Sequence, residues 1–262
     1  MSYVIAVTGK GGTGKTTVAA LLVRELIARG ATPVLAVDAD PNTCLDAALG
    51  VRAEKTVGRV REEARQEAGK GLGAGVSKQQ LLELKIAQSL VEADDFDLIA
   101  MGRSEGPGCY CYANNVLKQV LGTLSARYPY VVLDNEAGLE NLSRRIVQKA
   151  DLMIMITDPS KRGFETVRRL HELAAEMGTG YAKLSLMVNR MHDDSSLQRA
   201  REVGAAIGAD YVAGLPEDGE LARRAEQGGS LLDIGPSNQA CAGLRALLTG
   251  LGVVPCAQEH QA

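Results

Sequence analysis

The chain contains no run of about 20 consecutive apolar residues, the length a membrane helix needs, so no spanning segment is expected. Its first residues, Met1 to Thr8, carry no charged n-region and pass into a glycine loop before a signal-peptide core could form. A cytoplasmic protein is therefore expected. A charge surplus is missing as well, because 29 Lys and Arg stand against 32 Asp and Glu in 262 residues. The resulting net charge of -3 supplies no general attraction for nucleic acid or acidic lipid, and neither is an expected partner, although a local basic patch would still fit. Five cysteines do not make a disulfide framework at this length, and only Cys109 and Cys111 lie close enough to suggest shared metal or redox work. With no internal repeat and no Pro/Ser-rich linker, residues 1–262 read as one domain.

What is present is an alternation of short Val/Ile/Leu-rich runs with longer amphipathic stretches, the pattern of strands buried on both faces by crossover helices. The expected strands are Tyr3–Thr8, Pro33–Asp38, Phe96–Met101, Tyr130–Asp134, Leu152–Thr157, Leu184–Asn189 and Tyr211–Gly214. The fold class implied is α/β: a doubly wound, mostly parallel central sheet with helices on both faces. In the first helix Val18, Ala19, Leu22, Val23, Leu26 and Ile27 cover one half, with Arg24 and Glu25 on the other. Leu21 falls on the polar half, and Arg29 near the apolar edge can carry its charge out to water on a long stem. Gly30 is a suitable stop. Residues 52–76, rich in charge and then glycine, lack the apolar content of a core element and read as a solvent-side insertion or a mobile segment.

Gly9-Lys-Gly-Gly-Thr-Gly-Lys-Thr16 matches G-x-x-x-x-G-K-[ST] between an apolar strand and an amphipathic helix. In such a loop Gly9, Gly11, Gly12, Thr13 and Gly14 let backbone N–H groups wrap phosphates, and the helix N-terminus that follows favours their charge. Lys15 is expected to reach the β- and γ-phosphates of ATP and Thr16 to ligate Mg²⁺, with Thr17 completing the phosphate-binding stretch. Gly9, Gly11 and Gly14 also spell G-x-G-x-x-G, with Asp38 where a dinucleotide fold places its ribose acid. A Lys-Thr pair after the last glycine serves a triphosphate with magnesium and has no use in a dinucleotide loop. Asp134, ending Tyr130-Val-Val-Leu-Asp134, is a second acid able to hold magnesium through water; it could equally cap the next helix.

Lys10 is not required by this motif and would otherwise be a solvated lysine. Together with Val37-Asp38-Ala39-Asp40-Pro41 and Asp134-x-x-x-Gly138, it resembles the deviant Walker A ATPases, the group of MinD, ParA, the nitrogenase iron protein and metal-centre maturation ATPases. The resemblance implies a homodimer closing face to face over two ATP molecules, with Lys10 of each chain reaching the other's phosphates as an arginine finger does. It further implies that Asp40 positions the attacking water, Asp38 helps order the magnesium shell, and Asp134 to Gly138 sense the γ-phosphate. Asn189 matches the asparagine that reads the adenine edge, and Pro216 and Glu217 a second base-contacting segment; ordinary turn chemistry is the plainer account of both.

Gly106-Pro-Gly-Cys-Tyr-Cys-Tyr112 places Cys109 and Cys111 in a glycine-rich loop. Two thiols flanked by tyrosines could pack, or two such pairs across a two-fold axis could close a four-thiolate site for Ni²⁺ or Zn²⁺. This segment and Asp134-Asn-Glu-Ala-Gly-Leu-Glu-Asn-Leu-Ser-Arg144 resemble the ATPases that mature carbon monoxide dehydrogenase and acetyl-CoA synthase. The implied function is ATP-driven assistance of nickel insertion into a nickel-iron-sulfur client enzyme. The alternatives are a spatial regulator like MinD or ParA, for which the C-terminal Leu244–Ala262 is a poor basic anchor, and an iron-sulfur electron donor like the nitrogenase iron protein, which uses two well-separated cysteines.

Overall fold

The computed structural model describes residues 2–69, 78–103, 118, 122, 124–138 and 149–253. Eight strands form one sheet in the order β3-β4-β2-β5-β1-β6-β7-β8. They are β1 (Tyr3–Gly9), β2 (Val34–Asp38), β3 (Val91–Glu92), β4 (Phe96–Ala100), β5 (Tyr130–Asp134), β6 (Lys149–Thr157), β7 (Gly180–Met191) and β8 (Tyr211–Pro216). All neighbours run parallel except β3, a two-residue edge strand antiparallel to β4. The seven expected strands are present, and β3 is the addition. Pro33 has no N–H to give a ladder, and β2 starts one residue later.

The described helices are α1 (Lys15–Ala28), α2 (Leu45–Ala48), α3 (Val57–Gly69), α4 (Lys78–Ala87), α5 (Lys161–Glu176), α6 (Asp194–Ala206), α7 (Gly219–Gln227) and α8 (Gln239–Gly250). The period of two along each strand divides its side chains between two layers. Val34 and Ala36 of β2 enter the cluster beneath α1 and α8, while Leu35 and Val37 enter the one beneath α3 and α4. Farther along the sheet, Leu184, Leu186 and Val188 of β7 pack under α5 and α6. Each fully buried Leu, Ile or Val contributes about 1.5–3 kcal/mol, so this two-sided burial is what keeps the sheet ends in register.

Two expectations need correction. Arg24, Glu25 and Leu21 do not face water, because α8 covers that side of α1: Glu25 is fully buried, paired with Arg24, and Arg245 of α8 reaches it at 3.3 Å. The Arg24 Nε donates to the Ile234 carbonyl at 2.8 Å, and Arg29 donates to the Arg245 carbonyl at 2.9 Å rather than to solvent alone. The second correction concerns residues 52–76. Residues 57–69 of that stretch form α3, whose Val57, Val60 and Ala64 are buried with Ile86 of α4 against the sheet. On its other side Arg59 is exposed and pairs with Glu63 at 3.3 Å, and the helix packs on α4 with Lys85 bonded to Glu67 at 2.5 Å.

Candidate nucleotide-binding site

The strands β2, β5 and β1 are consecutive in the sheet, and their register sets Asp134 level with Asp38 on one side and Val7 on the other. Three loops therefore leave the C-terminal edge together, at the point where the chain crosses from one half of the sheet to the other. Backbone bonds tie them: Ala39 N–H to the Asp134 carbonyl at 2.9 Å, Asn135 N–H to Val7 at 3.1 Å, and Gly138 N–H to Gly9 at 3.4 Å. The Asn135 amide adds a second bond to the Val7 carbonyl at 3.0 Å. Gly11 comes close to Ala137, within 3.5 Å of a Cβ built on the glycine.

The phosphate loop needs its glycines for identifiable reasons. A Cβ on Gly9 would lie 2.2 Å from the Ile156 carbonyl oxygen of β6, and one on Gly14, at φ 90, would lie 2.3 Å from the Asn189 amide. With Gly14 as its N-cap, α1 starts without a side-chain cap and without an acidic residue in its first turn, so its free N–H groups are left for an anion. The Lys10 carbonyl accepts from Thr13 Oγ1 at 2.8 Å and from Lys15 Nζ at 3.2 Å, which draws the loop around Lys15. Burial pushes the Lys15 pKa down, against the pull of Asp134, Asp40 and Glu136. The Lys10 side chain is exposed, while Thr16 and Thr17 are half-buried.

Asp134 is 1% exposed, bonds to the Thr16 hydroxyl, and has an Oδ1 with no partner among the described residues. Burial pushes its pKa up to about 7, with the neighbouring Asp38 adding to the rise. An orphaned carboxylate oxygen beside a threonine hydroxyl suits a hard divalent cation, so the residues present fit magnesium. Asp38 behaves differently. Its Oδ1 accepts the Asp40 N–H and its Oδ2 those of Cys44 and Leu45, each at 2.9 Å. Burial raises its pKa to about 6 against those bonds. Asp38 thus shapes the loop carrying Asp40 and caps α2 from outside, a role the sequence pattern does not reveal. Asp40 is half-buried, its Oδ1 bonded to Asn42.

At the ends of β7 and β8, Asn189, Pro216 and Glu217 come together: Met191 pairs with Pro216, and the Glu217 N–H donates to the Met191 carbonyl at 3.2 Å. The Asn189 Nδ2 donates to the Thr13 carbonyl at 2.9 Å, bringing this edge onto the phosphate loop. Sequence reasoning missed Arg190, which at φ 57 donates to the Gly12 carbonyl at 3.3 Å; only its adjacency to Asn189 hinted at it. Cys109 and Cys111 lie outside the described residues, as do residues 139–144. Among the described residues Cys44 is exposed and Cys241 buried, and no helix is long and apolar enough to cross a membrane.

A model of the AAA domain family matches residues 2–183. An uncharacterized ATP-binding protein of Methanocaldococcus jannaschii is 40% identical over 237 residues, covering 90% of this chain and 93% of that protein. The carbon monoxide dehydrogenase accessory protein CooC of Rhodospirillum rubrum is 29% identical, over 95% of this chain and 97% of its own. Among solved structures, a ParA family ATPase from Chlorobium tepidum superposes with a TM-score of 0.70 at 18% identity, over 95% of this chain and 99% of that one. The MinD cell division protein of Aquifex aeolicus gives 0.69 at 21%, over 98% and 100%.

Proposed function

Because the chain belongs to the AAA-domain family of P-loop ATPases, with CooC and MinD among its relatives, we propose that it is a dimeric maturation ATPase that assists nickel insertion into a carbon monoxide dehydrogenase or acetyl-CoA synthase cluster. The observation that carries this reading is the end-to-end likeness to a carbon monoxide dehydrogenase accessory protein, in a chain that itself has a C-x-C pair. The MinD of Thermotoga maritima is less alike, at 23% identity over 84% of the chain.

In this reading the open N–H groups of the loop Gly9–Thr17 and Lys15 bind the triphosphate of ATP. Thr16 and Asp134 would hold magnesium, which when bound would supply positive charge beside the phosphates. Asp40 orients a water whose oxygen bonds to the γ-phosphorus as the bond to the β,γ-bridging oxygen breaks; both hydrogens of that water leave with the released phosphate. Lys10, exposed on its own chain, completes the partner's site across the dimer. Asn189, Pro216 and Glu217 hold the adenine. Asp38 keeps the Asp40 loop in place, and the Gly138–Gly9 bond links the segment Asp134 to Gly138 to the phosphates it senses. Cys109 and Cys111 of two chains hold one nickel ion between them, and hydrolysis opens the dimer for transfer. ATP and nickel each favour the closed dimer, so each should tighten the other's binding by the same factor.

The test is activation of nickel-free carbon monoxide dehydrogenase incubated with nickel, ATP and this protein. Native protein should raise the activity recovered, and neither Lys15→Ala nor Cys109→Ser/Cys111→Ser should. Equal recovery with native protein, with the variants or with none would refute the reading.

A further inference from the structure

Asp40 is held by a chain of bonds that ends just past β4. Its Oδ1 accepts the Asn42 backbone N–H at 2.8 Å and the Asn42 Nδ2 at 3.0 Å, and the Asn42 Oδ1 in turn accepts Arg103 Nη2 at 2.9 Å. An amide is suited to this bridge because it donates at one end and accepts at the other; the carboxylate and the guanidinium decide which way it faces. Both hydrogen bonds described for the Asp40 carboxylate fall on Oδ1, which leaves Oδ2 for a water.

The far end of the chain is anchored. Arg103 follows β4, and just before it the Met101 N–H donates to the Asp38 carbonyl at 2.8 Å while its carbonyl accepts the Gly58 N–H at 2.9 Å. Gly102 turns at φ 62 so tightly against Thr56 that a Cβ there would lie 2.2 Å from the hydroxyl. Arg103 therefore leaves a backbone fixed to both the Asp38 loop and α3. On the Asp40 side the loop turns at Thr43, whose φ is 49 and whose N–H bonds to the Asp40 carbonyl at 3.1 Å.

We propose that Arg103 and Asn42 are positioning residues for ATP hydrolysis: acting in series from the end of β4, they hold the Asp40 carboxylate so that Oδ2 meets the attacking water. This rests on the water-positioning role of Asp40 proposed above. A lysine at 103 would reach Asn42 with a less directional donor. An aspartate at 42 would still accept from Arg103 but could not donate its side chain to Asp40, and it would add a like charge.

Steady-state turnover and ATP affinity should be measured for native protein, Arg103→Ala, Arg103→Lys, Asn42→Ala, Asn42→Asp, the Arg103→Ala/Asn42→Ala double variant and Asp40→Asn. Losing orientation without losing contact with the nucleotide should lower kcat roughly tenfold in Arg103→Ala and Asn42→Ala while KM for ATP stays within about twofold. Because the two act in series, the double variant should be no slower than Asn42→Ala; independent structural damage would multiply. Arg103→Lys should recover part of the rate, and Asn42→Asp should be at least as slow as Asn42→Ala. If Asp40→Asn stops hydrolysis while Arg103→Ala turns over at the native rate, the positioning role is overturned and the role of Asp40 survives. If Asp40→Asn hydrolyses normally, the role of Asp40 falls and the inference with it.

Discussion

Replacing Asp134 by asparagine should make the ligand-free protein more stable at pH 8 while weakening its response to magnesium and nucleotide. The carboxyl is 1% exposed and one of its oxygens has no partner among the described residues. Burial moves its pKa from 3.8 to about 7. A raised folded-state pKa means that the fold prefers the protonated acid, so its stabilising contribution is complete below the unfolded value of 3.8 and is lost as pH rises through about 7. At about 1.4 kcal/mol per pKa unit, the ionised carboxylate costs the fold up to about 4 kcal/mol at pH 8. Asparagine removes that cost but also deprives Lys15 of a charge partner. The net gain should be about 2–4 kcal/mol, or roughly 5–10 °C in Tm for a chain of this size. Calorimetry without nucleotide or magnesium, at pH 8 and pH 5.5, is the assay. The unfolded carboxyl still ionises at the lower pH while the folded one does not, so the difference should narrow by about half rather than vanish. Addition of magnesium with a non-hydrolysable ATP analogue should raise the Tm of native protein well beyond that of the variant. A variant no more stable than native protein at pH 8, or a difference independent of pH, would refute the reasoning.

Four further outcomes follow from the geometry. Gly9→Ala sets a Cβ 2.2 Å from a backbone oxygen of the adjacent strand, which cannot turn aside, and should cost about 3 kcal/mol or more in urea denaturation. Gly12→Ala, with nothing within 4 Å and only φ 78 to oppose it, should cost about 1 kcal/mol. Glu25→Ala leaves Arg24 and Arg245 without the carboxylate between α1 and α8 and should cost about 3–5 kcal/mol by the same measurement. Lys10→Ala, at an exposed position, should leave stability within about 0.5 kcal/mol and yet lower ATP turnover about a hundredfold, since in the proposed dimer its work is done on the partner's nucleotide.

The parts of this molecule legible in its sequence are those governed by local rules. The phosphate loop is readable because its glycines keep the spacing that lets backbone N–H groups wrap phosphates, and in the fold Gly9 and Gly14 also meet Ile156 and Asn189 closely. Strand positions are readable because burial on both faces leaves continuous apolar runs. What escapes is settled by tertiary partners. Nothing near Arg24 and Glu25 announces that Arg245, 220 residues away from Glu25, will bury them. The charges of α3 hide the spacing of Val57, Val60 and Ala64, which only becomes an apolar stripe once α4 and the sheet are beside it. Asp38 reads as a magnesium-shell acid from its motif, whereas its oxygens are given to backbone N–H groups that shape the next loop. Arg103 and Arg190 carry no motif at all; they are found through the atoms they touch.

The most direct test of the proposed function is the mass in solution, by light scattering with and without ATP and nickel, with metal assayed in each peak, for native protein and for Cys109→Ser/Cys111→Ser. The account predicts that native protein dimerises with about one nickel per dimer, and that the variant loses the metal-driven dimer while still binding ATP. Identical behaviour of the two proteins, with no metal in either peak, would contradict it.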